Sequence, residues 1–269
     1  MESKLPVRKI RRLFYDLEVS PNVVLSWGIG YKVRIGDESI VSERKVICIA
    51  YKFQGESKTT VLRWDKDQDD TQLLREFAKV AAEADELVAH KGDSFDLPWF
   101  RARCAILGLD PIPAYKTVDT CAWSLKHFRF NCAKLDYLAK LFGIGKKSPT
   151  GYQLWRDVLL KNCPIALNKM CAYCANDIFL LEGVYNRLLK YTPVKPKTHA
   201  GVFMGHEKWT CPKDGSENVH KSKTRVTASG VTQHQMRCCD CGTHYSISDR
   251  VFEDYKIAMA KKKKKKIRY

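Results

Sequence analysis

The N-terminal quarter of the chain has the apolar pattern of β-strands. The run Phe14–Ser20 is β-prone but is interrupted by two carboxylates two residues apart. Similar runs follow over Val23–Tyr31, Lys45–Phe53 and Thr59–Trp64, separated by turn-forming residues. Sequential strands of this kind pair most simply as an antiparallel meander, so we predict one here.

From Asp69 onward, helical periodicity alternates with short strands. Apolar residues three and four apart predict helices over Asp69–Ala84, Leu97–Leu107, Leu135–Phe142 and Ala166–Tyr191. Short β-type runs lie at Glu86–His90 and Tyr115–Thr120. Strands followed by alternating helices and strands predict an α/β fold with a mixed sheet flanked by helices.

The composition of the chain indicates a polyanionic partner. The 269 residues carry a net charge of +17, and 45% of them are hydrophobic, enough for a sizeable core. Seven positive charges lie in Lys261–Tyr269, and the remainder still has 40 basic against 30 acidic residues, or +10. A basic body of this kind favours nucleic acid as the partner, with an anionic membrane surface second.

The sequence has neither a signal peptide nor an apolar run long enough to span a bilayer, so we expect an intracellular, cytoplasmic protein. Seven of the eleven cysteines lie among apolar residues and are interpreted as reduced core residues. The other four cluster beyond residue 205.

Asp16 and Glu18 are the first candidates for chemistry. Side chains at i and i+2 of a strand share a face, so the two carboxylates would lie side by side. Like charges that close repel each other, and a divalent cation between them would relieve the repulsion. A strand end that reaches solvent is the alternative for this pair alone.

Two later segments supply further carboxylates. Asp96 follows a short strand, where α/β proteins often bind ligands, although it could also cap the next helix. Tyr173 and Asp177 are four residues apart on one face of the longest helix, turned toward the core. A buried carboxylate is costly unless it is paired or binds metal, and an internal Tyr–Asp hydrogen bond is the alternative.

In this order, Asp-x-Glu on a first strand, Phe-Asp after a later strand and Tyr-x-x-x-Asp on a helix resemble the DEDD 3′–5′ exonucleases of the ribonuclease H-like superfamily. The resemblance is to the Tyr-containing subclass represented by the proofreading domain of family B DNA polymerases. It covers Leu13 to about Tyr191 and includes Asp119-Thr120 and the segment Lys134–Ala139.

The resemblance implies that Asp16, Glu18, Asp96 and Asp177 bind two Mg²⁺ or Mn²⁺ ions, which prefer oxygen ligands. It implies that Tyr173 orients the attacking water, because a hydroxyl with a pKa near 10 is a weak base. The chain departs from the family at Lys91, where asparagine is common. Lys91 is therefore a candidate contact to the substrate phosphate.

A Pro-rich segment after Tyr191 predicts a linker over 192–205, followed by a segment, 206–250, that resembles a zinc ribbon. In the first knuckle Asp214 replaces the usual second cysteine. The resemblance implies one Zn²⁺ bound by Cys211, Cys238, Cys241 and a fourth ligand, with Asp214 in register and His220, His234 or Cys239 as alternatives. A metal-free hairpin is the other interpretation, but so small a region has difficulty folding without a metal.

The last segment, 251–269, is a basic tail. We predict that its end, Lys261–Tyr269, is disordered and attracts phosphate through the run Lys261, Lys262, Lys263, Lys264, Lys265 and Lys266. A nuclear localisation signal is the alternative for such a run.

These features predict a nuclease domain over 1–191 that hydrolyses single-stranded DNA from its 3′ end, in the host cytoplasm if the gene is from a phage. A 3′–5′ exoribonuclease and a non-catalytic nucleic-acid-binding adaptor are the alternatives. A separate polymerase or other replication or repair protein is the expected protein partner, and no membrane is expected. Candidate aromatic residues for base stacking are Trp99, Phe100, Phe128 and Phe130.

Overall fold

The computed structural model describes residues 9–30, 32–110, 116–192 and 198–266. The chain divides into two compact units, the first spanning Arg11–Leu188 and the second beginning at Leu189. Within the described ranges, no helix combines the length and the apolar character needed to cross a membrane.

The described residues of the first unit form seven strands, six α-helices and a 3-10 helix at Asp37–Ser39. The strands are β1 (Arg12–Val19), β2 (Val23–Val24), β3 (Ile40–Ser42), β4 (Val46–Phe53), β5 (Thr60–Arg63), β6 (Glu86–Ala89) and β7 (Lys116–Asp119). The helices are α1 (Thr71–Ala82), α2 (Asp96–Ile106), α3 (Thr120–His127), α4 (Leu135–Leu141), α5 (Tyr152–Leu160) and α6 (Pro164–Leu189).

Five strands form a mixed sheet in the order β5-β4-β1-β6-β7. β1 lies at its centre, antiparallel to β4 and parallel to β6. β6 and β7 are also parallel, and α2 provides the crossover between them, as parallel neighbours require. The predicted α/β class with a mixed sheet is therefore confirmed.

Helices cover both faces of the sheet because successive residues of β1 point in opposite directions. Phe14 packs edge-on against Tyr185 of α6, with ring centroids 5.2 Å apart. Tyr15 contacts Phe77 of α1, which in turn meets Phe100 of α2. All five rings are almost fully buried, so they anchor the helices on either side of β1.

The predicted strand over Val23–Tyr31 is wrong for residues 25–30, and Tyr31 lies outside the described residues. Within 23–30 only Val23–Val24 is a strand, and it pairs with β3 in a separate two-stranded ribbon. Leu25, Trp27 and Ile29 have apolar side chains but are exposed, so no second layer supports a longer strand. The pattern also missed the short helices α3 and α5.

The second unit contains α7 (Ala200–Phe203), β8 (Val219–Val226), β9 (Thr232–Cys238), β10 (His244–Ser248) and α8 (Asp249–Lys266). The three strands form an antiparallel sheet in the order β10-β9-β8. α8 packs on one face of this sheet, where Phe252 stacks on His234 with centroids 3.9 Å apart. This is a small β-rich region.

The structure differs from two predictions, those for the linker before this unit's sheet and for the tail after it. Of the predicted linker, residues 193–197 lie outside the described ranges, whereas 198–205 contain α7, and Ala200 N–H donates to the Pro212 carbonyl at 2.9 Å. The predicted disordered tail is helical through Lys266, and Lys262 Nζ lies 2.6 Å from Glu217. Lysine is a good helix former, and the run extends a helix already packed through Phe252.

Candidate functional site

Asp16 and Glu18 lie on the face of β1 that α6 covers. Their carboxylate oxygens and Cys174 Sγ of α6 lie within 4.8 Å of one another, a group compact enough to hold a metal ion. Cys174 Sγ is 3.6 Å from Asp16 Oδ2, and its pKa is raised to about 12, so it is a neutral thiol. The two carboxylates are therefore the hard, anionic members of the group.

Asp96 reaches the same strand from α2. Its Oδ1 accepts a hydrogen bond from the backbone N–H of Leu17, between Asp16 and Glu18, at 3.1 Å. The side chain is only 2% exposed. The cap position of α2 is occupied by Phe95, without a side-chain cap bond, so Asp96 contacts β1 rather than capping its own helix.

Asp177 and Tyr173 face inward from α6, as the spacing predicts. Asp177 is fully buried; its Oδ2 lies 2.5 Å from Lys147 Nζ, and its Oδ1 has no hydrogen-bond partner among the described residues. Lys147 Nζ also donates to Tyr173 Oη at 3.2 Å. Neither Asp96 nor Asp177 belongs to the 4.8 Å group around Asp16.

Lys147 was missed in the sequence, because it lies in a loop without periodicity. Its backbone N–H donates to Asp136 Oδ1 at 2.8 Å, which ties this loop to α4. Burial opposes the charge on Lys147, but Asp177 outweighs burial and raises the lysine pKa above its usual value. Lys147 is therefore a cation held inside a cluster of acids.

Lys147 compensates only part of the negative charge of these acids, because the pKa values of all four are raised despite its presence. Burial and then the charge of Asp177 raise the pKa of Asp16 to about 7. Burial and then Asp16 raise the pKa values of Glu18 and of Asp96. The pKa of Asp177 is also raised, mainly by burial. Mutual repulsion together with the orphaned Oδ1 of Asp177 fits a site that binds cations.

The turn after β6 is held by hydrogen bonds around His90. Its Nε2 lies 2.8 Å from the Ala133 carbonyl, to which it donates, and its Nδ1 lies 2.8 Å from Thr120 Oγ1. Burial lowers the His90 pKa to about 4, so the imidazole is neutral. Asp119 caps α3 and accepts from the backbone N–H of Lys91 at 3.0 Å.

Lys91 is exposed and lines a cavity of about 460 Å³ together with Lys134 and Lys147. The same Lys147 contacts Asp177, so this cavity adjoins the acidic cluster. Three lysines against one acid, Asp136, line this cavity, an excess of positive charge that favours a phosphate-bearing ligand.

A second cavity, of about 450 Å³, contains Val19 and Phe95, the neighbours of Glu18 and Asp96 in the sequence. Tyr152 and Trp155 of α5 and Arg44 also line it. Sequence analysis missed this aromatic groove because α5 itself was not predicted.

The aromatic residues chosen from the sequence are mostly engaged elsewhere. Phe100 is fully buried, so its prediction as a stacking residue is wrong. Phe128 and Phe130 stack on each other with centroids 5.1 Å apart, and Arg44 lies over Trp99 at 5.2 Å. Phe95, 41% exposed, is the better oriented residue for contact with a base.

In the second unit, two turns of the same design face each other. Gly215 N–H donates to the Cys211 carbonyl at 2.9 Å, and Gly242 N–H donates to the Cys238 carbonyl at 3.1 Å. Both glycines have positive φ, 77° and 73°, a conformation that glycine adopts without strain. Each turn thus carries a ligand-type residue at its first and fourth positions, Cys211 with Asp214 and Cys238 with Cys241.

These four side chains converge, with their ligand atoms within 4.8 Å of one another. Cys211 Sγ and Cys241 Sγ are 3.6 Å apart, and Cys238 Sγ is 3.5 Å from Asp214 Oδ2. Ligands at about 2.3 Å from a tetrahedral zinc are about 3.8 Å apart, so these spacings fit that ion. The hydrogen bond between Cys211 and Cys241 lowers the Cys241 pKa to about 6 and raises that of Cys211, and burial raises the pKa of Cys238, so Cys241 is the one thiolate of the three before a metal binds.

The alternative fourth ligands have other partners. His220 Nδ1 lies 3.3 Å from the sulfur of exposed Cys239, and buried His234 bonds Thr224 and Asp249. None of the three belongs to the four-residue group. The geometry therefore favours Asp214 as the fourth ligand of the group.

The chain belongs to the RNase_H superfamily, whose family model matches residues 41–189. The matched segment includes Asp96, Tyr173 and Asp177 but begins after Asp16 and Glu18. No curated protein matches the chain significantly.

Among solved structures, the chain is similar to a family B DNA polymerase from the hyperthermophilic archaeon Pyrobaculum calidifontis. The two are 18% identical with a TM-score of 0.52, and the match covers 68% of this chain. The chain spans about a quarter of the polymerase, since 25% of that chain is covered. The similarity is one of fold.

Proposed function

We propose that the chain is a metal-dependent 3′–5′ exonuclease that hydrolyses single-stranded DNA. The observation that carries the proposal is the convergence of Asp16, Glu18, Asp96 and Asp177 from β1, α2 and α6, in a superfamily of nucleases. Raised pKa values and the orphaned Oδ1 of Asp177 support a bound cation at this position.

The four carboxylates would hold two Mg²⁺ or Mn²⁺ ions. Such a pair supplies an activated water and neutralises charge on the phosphate and the leaving 3′-oxygen. The residues of the chain orient the reactants around it. Burial raises the pKa of Tyr173 above its usual value, so its hydroxyl stays protonated and hydrogen-bonds the water instead of accepting a proton.

Lys147 is a positioning residue in this proposal. Its ammonium reaches both Asp177 and Tyr173, at 2.5 and 3.2 Å, and so fixes the two groups relative to each other. The lysine-lined cavity attracts the phosphate backbone, and the groove of Phe95, Tyr152 and Trp155 would stack the terminal bases. Stacking on unpaired bases is the reason to favour a single strand over a duplex.

The proposal includes one Zn²⁺ held by Cys211, Asp214, Cys238 and Cys241, where it would stabilise the fold of the second unit. A separate polymerase or another replication or repair protein remains the expected partner.

The test is degradation of 5′-labelled single-stranded DNA, the matching RNA and the matching duplex, each with Mg²⁺, Mn²⁺ or EDTA. We expect a ladder descending from the 3′ end of single-stranded DNA, only with metal. Faster loss of RNA would make the chain an exoribonuclease. Intact strands in every condition, from a folded protein that still binds them, would make it an adaptor.

A further inference from the structure

The second unit contains a cavity of about 620 Å³ that the proposed exonuclease does not use. Among the described residues, four cations line it and no lining residue is acidic. They are Lys190, Lys208, Lys213 and Arg225. In the described part of the chain, none of the four is ion-paired with a carboxylate.

Lys213 adds a buried charge to this cavity. It is 7% exposed, and its Nζ donates to the backbone carbonyls of Leu189 and Thr192, the latter at 3.1 Å. Carbonyl oxygens satisfy the hydrogen bonds of an ammonium but do not neutralise its charge. The neighbouring Cys211 and Cys241 also act on the charge of Lys213, so the exposed Lys190, Lys208 and Arg225 are the cations that an anion in the cavity would meet.

The face of the three-stranded sheet opposite α8 also carries cationic and polar side chains. Residues opposite one another on neighbouring strands share a face, and Lys223 pairs with Gln235, which pairs with Ser246. The next row consists of Arg225, Gln233 and Ser248. The alternate residues, such as His234, face α8. The face opposite α8 therefore presents cations, amides and hydroxyls and, in these two rows, no carboxylate.

We propose that this face and its cavity bind the phosphodiester backbone of a single nucleic-acid strand. The cations lie on β8 and in the segments that border the cavity, and this spread matches a ligand with repeated negative charges, while amide and hydroxyl groups hydrogen-bond phosphate oxygens without reading sequence. A cavity of this volume admits an unpaired nucleotide but not a duplex. Tyr191, 70% exposed at the cavity, offers a ring for a base.

The inference adds a binding site to the proposed nuclease and can be tested apart from it. Anisotropy of a 5′-fluorescein 15-nucleotide single strand is measured with the full chain in EDTA, over a series of KCl concentrations. Without divalent metal no hydrolysis is expected, so failure here leaves the nuclease proposal untouched.

The decisive variant is Lys208→Gln/Arg225→Gln, which removes two exposed cations. We expect at least about 5-fold weaker binding, and a salt slope reduced by about 1–2 as phosphate contacts are lost. The control Lys161→Gln/Lys256→Gln removes two exposed cations that lie outside the cavity and pair with Asp157 and Glu253. It should bind within about 2-fold of the parent.

A gain-of-binding variant guards against misfolding as the cause of a loss. Gln235→Lys adds a cation to the row of Lys223, Gln235 and Ser246, and should tighten binding at least about 2-fold. Equal losses in the cavity variant and the control would overturn the proposal, since net charge alone would then explain binding. Equal affinity for duplex, or displacement of the strand by an equimolar mononucleotide, would overturn it as well.

Discussion

The ammonium of Lys147 lies 2.5 Å from the fully buried carboxylate of Asp177, and the charge of Asp16 acts on it as well. The pair occupies one Asp177 oxygen and leaves the other without a partner among the described residues. A cation supplied by the protein thus stands beside the place where the proposed metal ions would bind. The two kinds of positive charge should therefore substitute for each other in stabilising the fold.

We predict that Lys147→Met lowers the free energy of unfolding by about 2 kcal/mol in EDTA, because it leaves Asp177 buried without its charge partner. Millimolar Mg²⁺ should restore much of this loss by binding the folded state. Urea unfolding with EDTA and with Mg²⁺ measures both effects. Lys161→Met, which breaks an exposed pair with Asp157, should cost less than about 1 kcal/mol and show no special Mg²⁺ response. Equal behaviour of the two variants would contradict the account.

Gly92 allows the turn after β6 to pack against β1. A Cβ at this position would lie 2.5 Å from Ala89 Cβ and 2.8 Å from Tyr15 Oη. Gly92→Ala should therefore destabilise the fold by about 1–3 kcal/mol and reduce activity, since Tyr15 is next to Asp16. The matched control is Gly151→Ala, where nothing lies within 4 Å, and thermal unfolding compares them. A Gly92→Ala protein as stable as the control would refute this explanation.

His90 makes stability depend on pH. Its folded pKa of about 4 lies below the value of 6.5 in the unfolded chain, so the unfolded state binds more protons between these values. Its contribution is complete above pH 6.5 and is lost as pH falls toward 4, by no more than about 3 kcal/mol. His90→Gln should be less stable at pH 7 but should lose less on acidification, as urea unfolding at pH 7 and 5 would show. An unchanged pH dependence in His90→Gln would be contrary to this prediction.

The zinc proposal predicts one Zn²⁺ per chain in purified protein, measured by elemental mass spectrometry. Asp214→Ala should lower zinc affinity at least about 10-fold and the unfolding temperature of the second unit, whereas Asp214→Cys should retain the metal, because thiolate is a preferred zinc ligand. Asp254→Ala, an exposed acid on α8, is the control. Zinc-free protein that unfolds at the same temperature with and without added Zn²⁺ would exclude the site.

Patterns with a strong period allowed much of the fold to be predicted. β1, β4, α1 and α6 carry long apolar stripes or runs, and the structure has them near the predicted positions. The Val23–Tyr31 run has the composition of a strand but lacks a layer to bury it. The short helices α3 and α5 gave no period that stands out from the loops around them.

In the candidate site, as in the fold, local relations could be predicted from the sequence and tertiary contacts could not. Spacing alone predicted that Asp16 shares a face with Glu18 and Tyr173 with Asp177, because i, i+2 and i, i+4 relations are local, whereas their proposed roles came from the family resemblance. Lys147 and Asp136 are joined to them only by tertiary contacts. The aromatic groove could not be predicted, because no local sequence pattern shows where α5 packs.

Comparison of Asp177→Asn with Asp157→Asn tests the central claim most directly. Asp177 is buried in the acidic cluster, whereas Asp157 pairs with Lys161 on an exposed face of α5. With single-stranded DNA and Mg²⁺, we predict at least a 1,000-fold fall in the rate of 3′-end shortening for Asp177→Asn. We predict less than a 2-fold change for Asp157→Asn. Undiminished shortening by a folded Asp177→Asn protein would contradict the account.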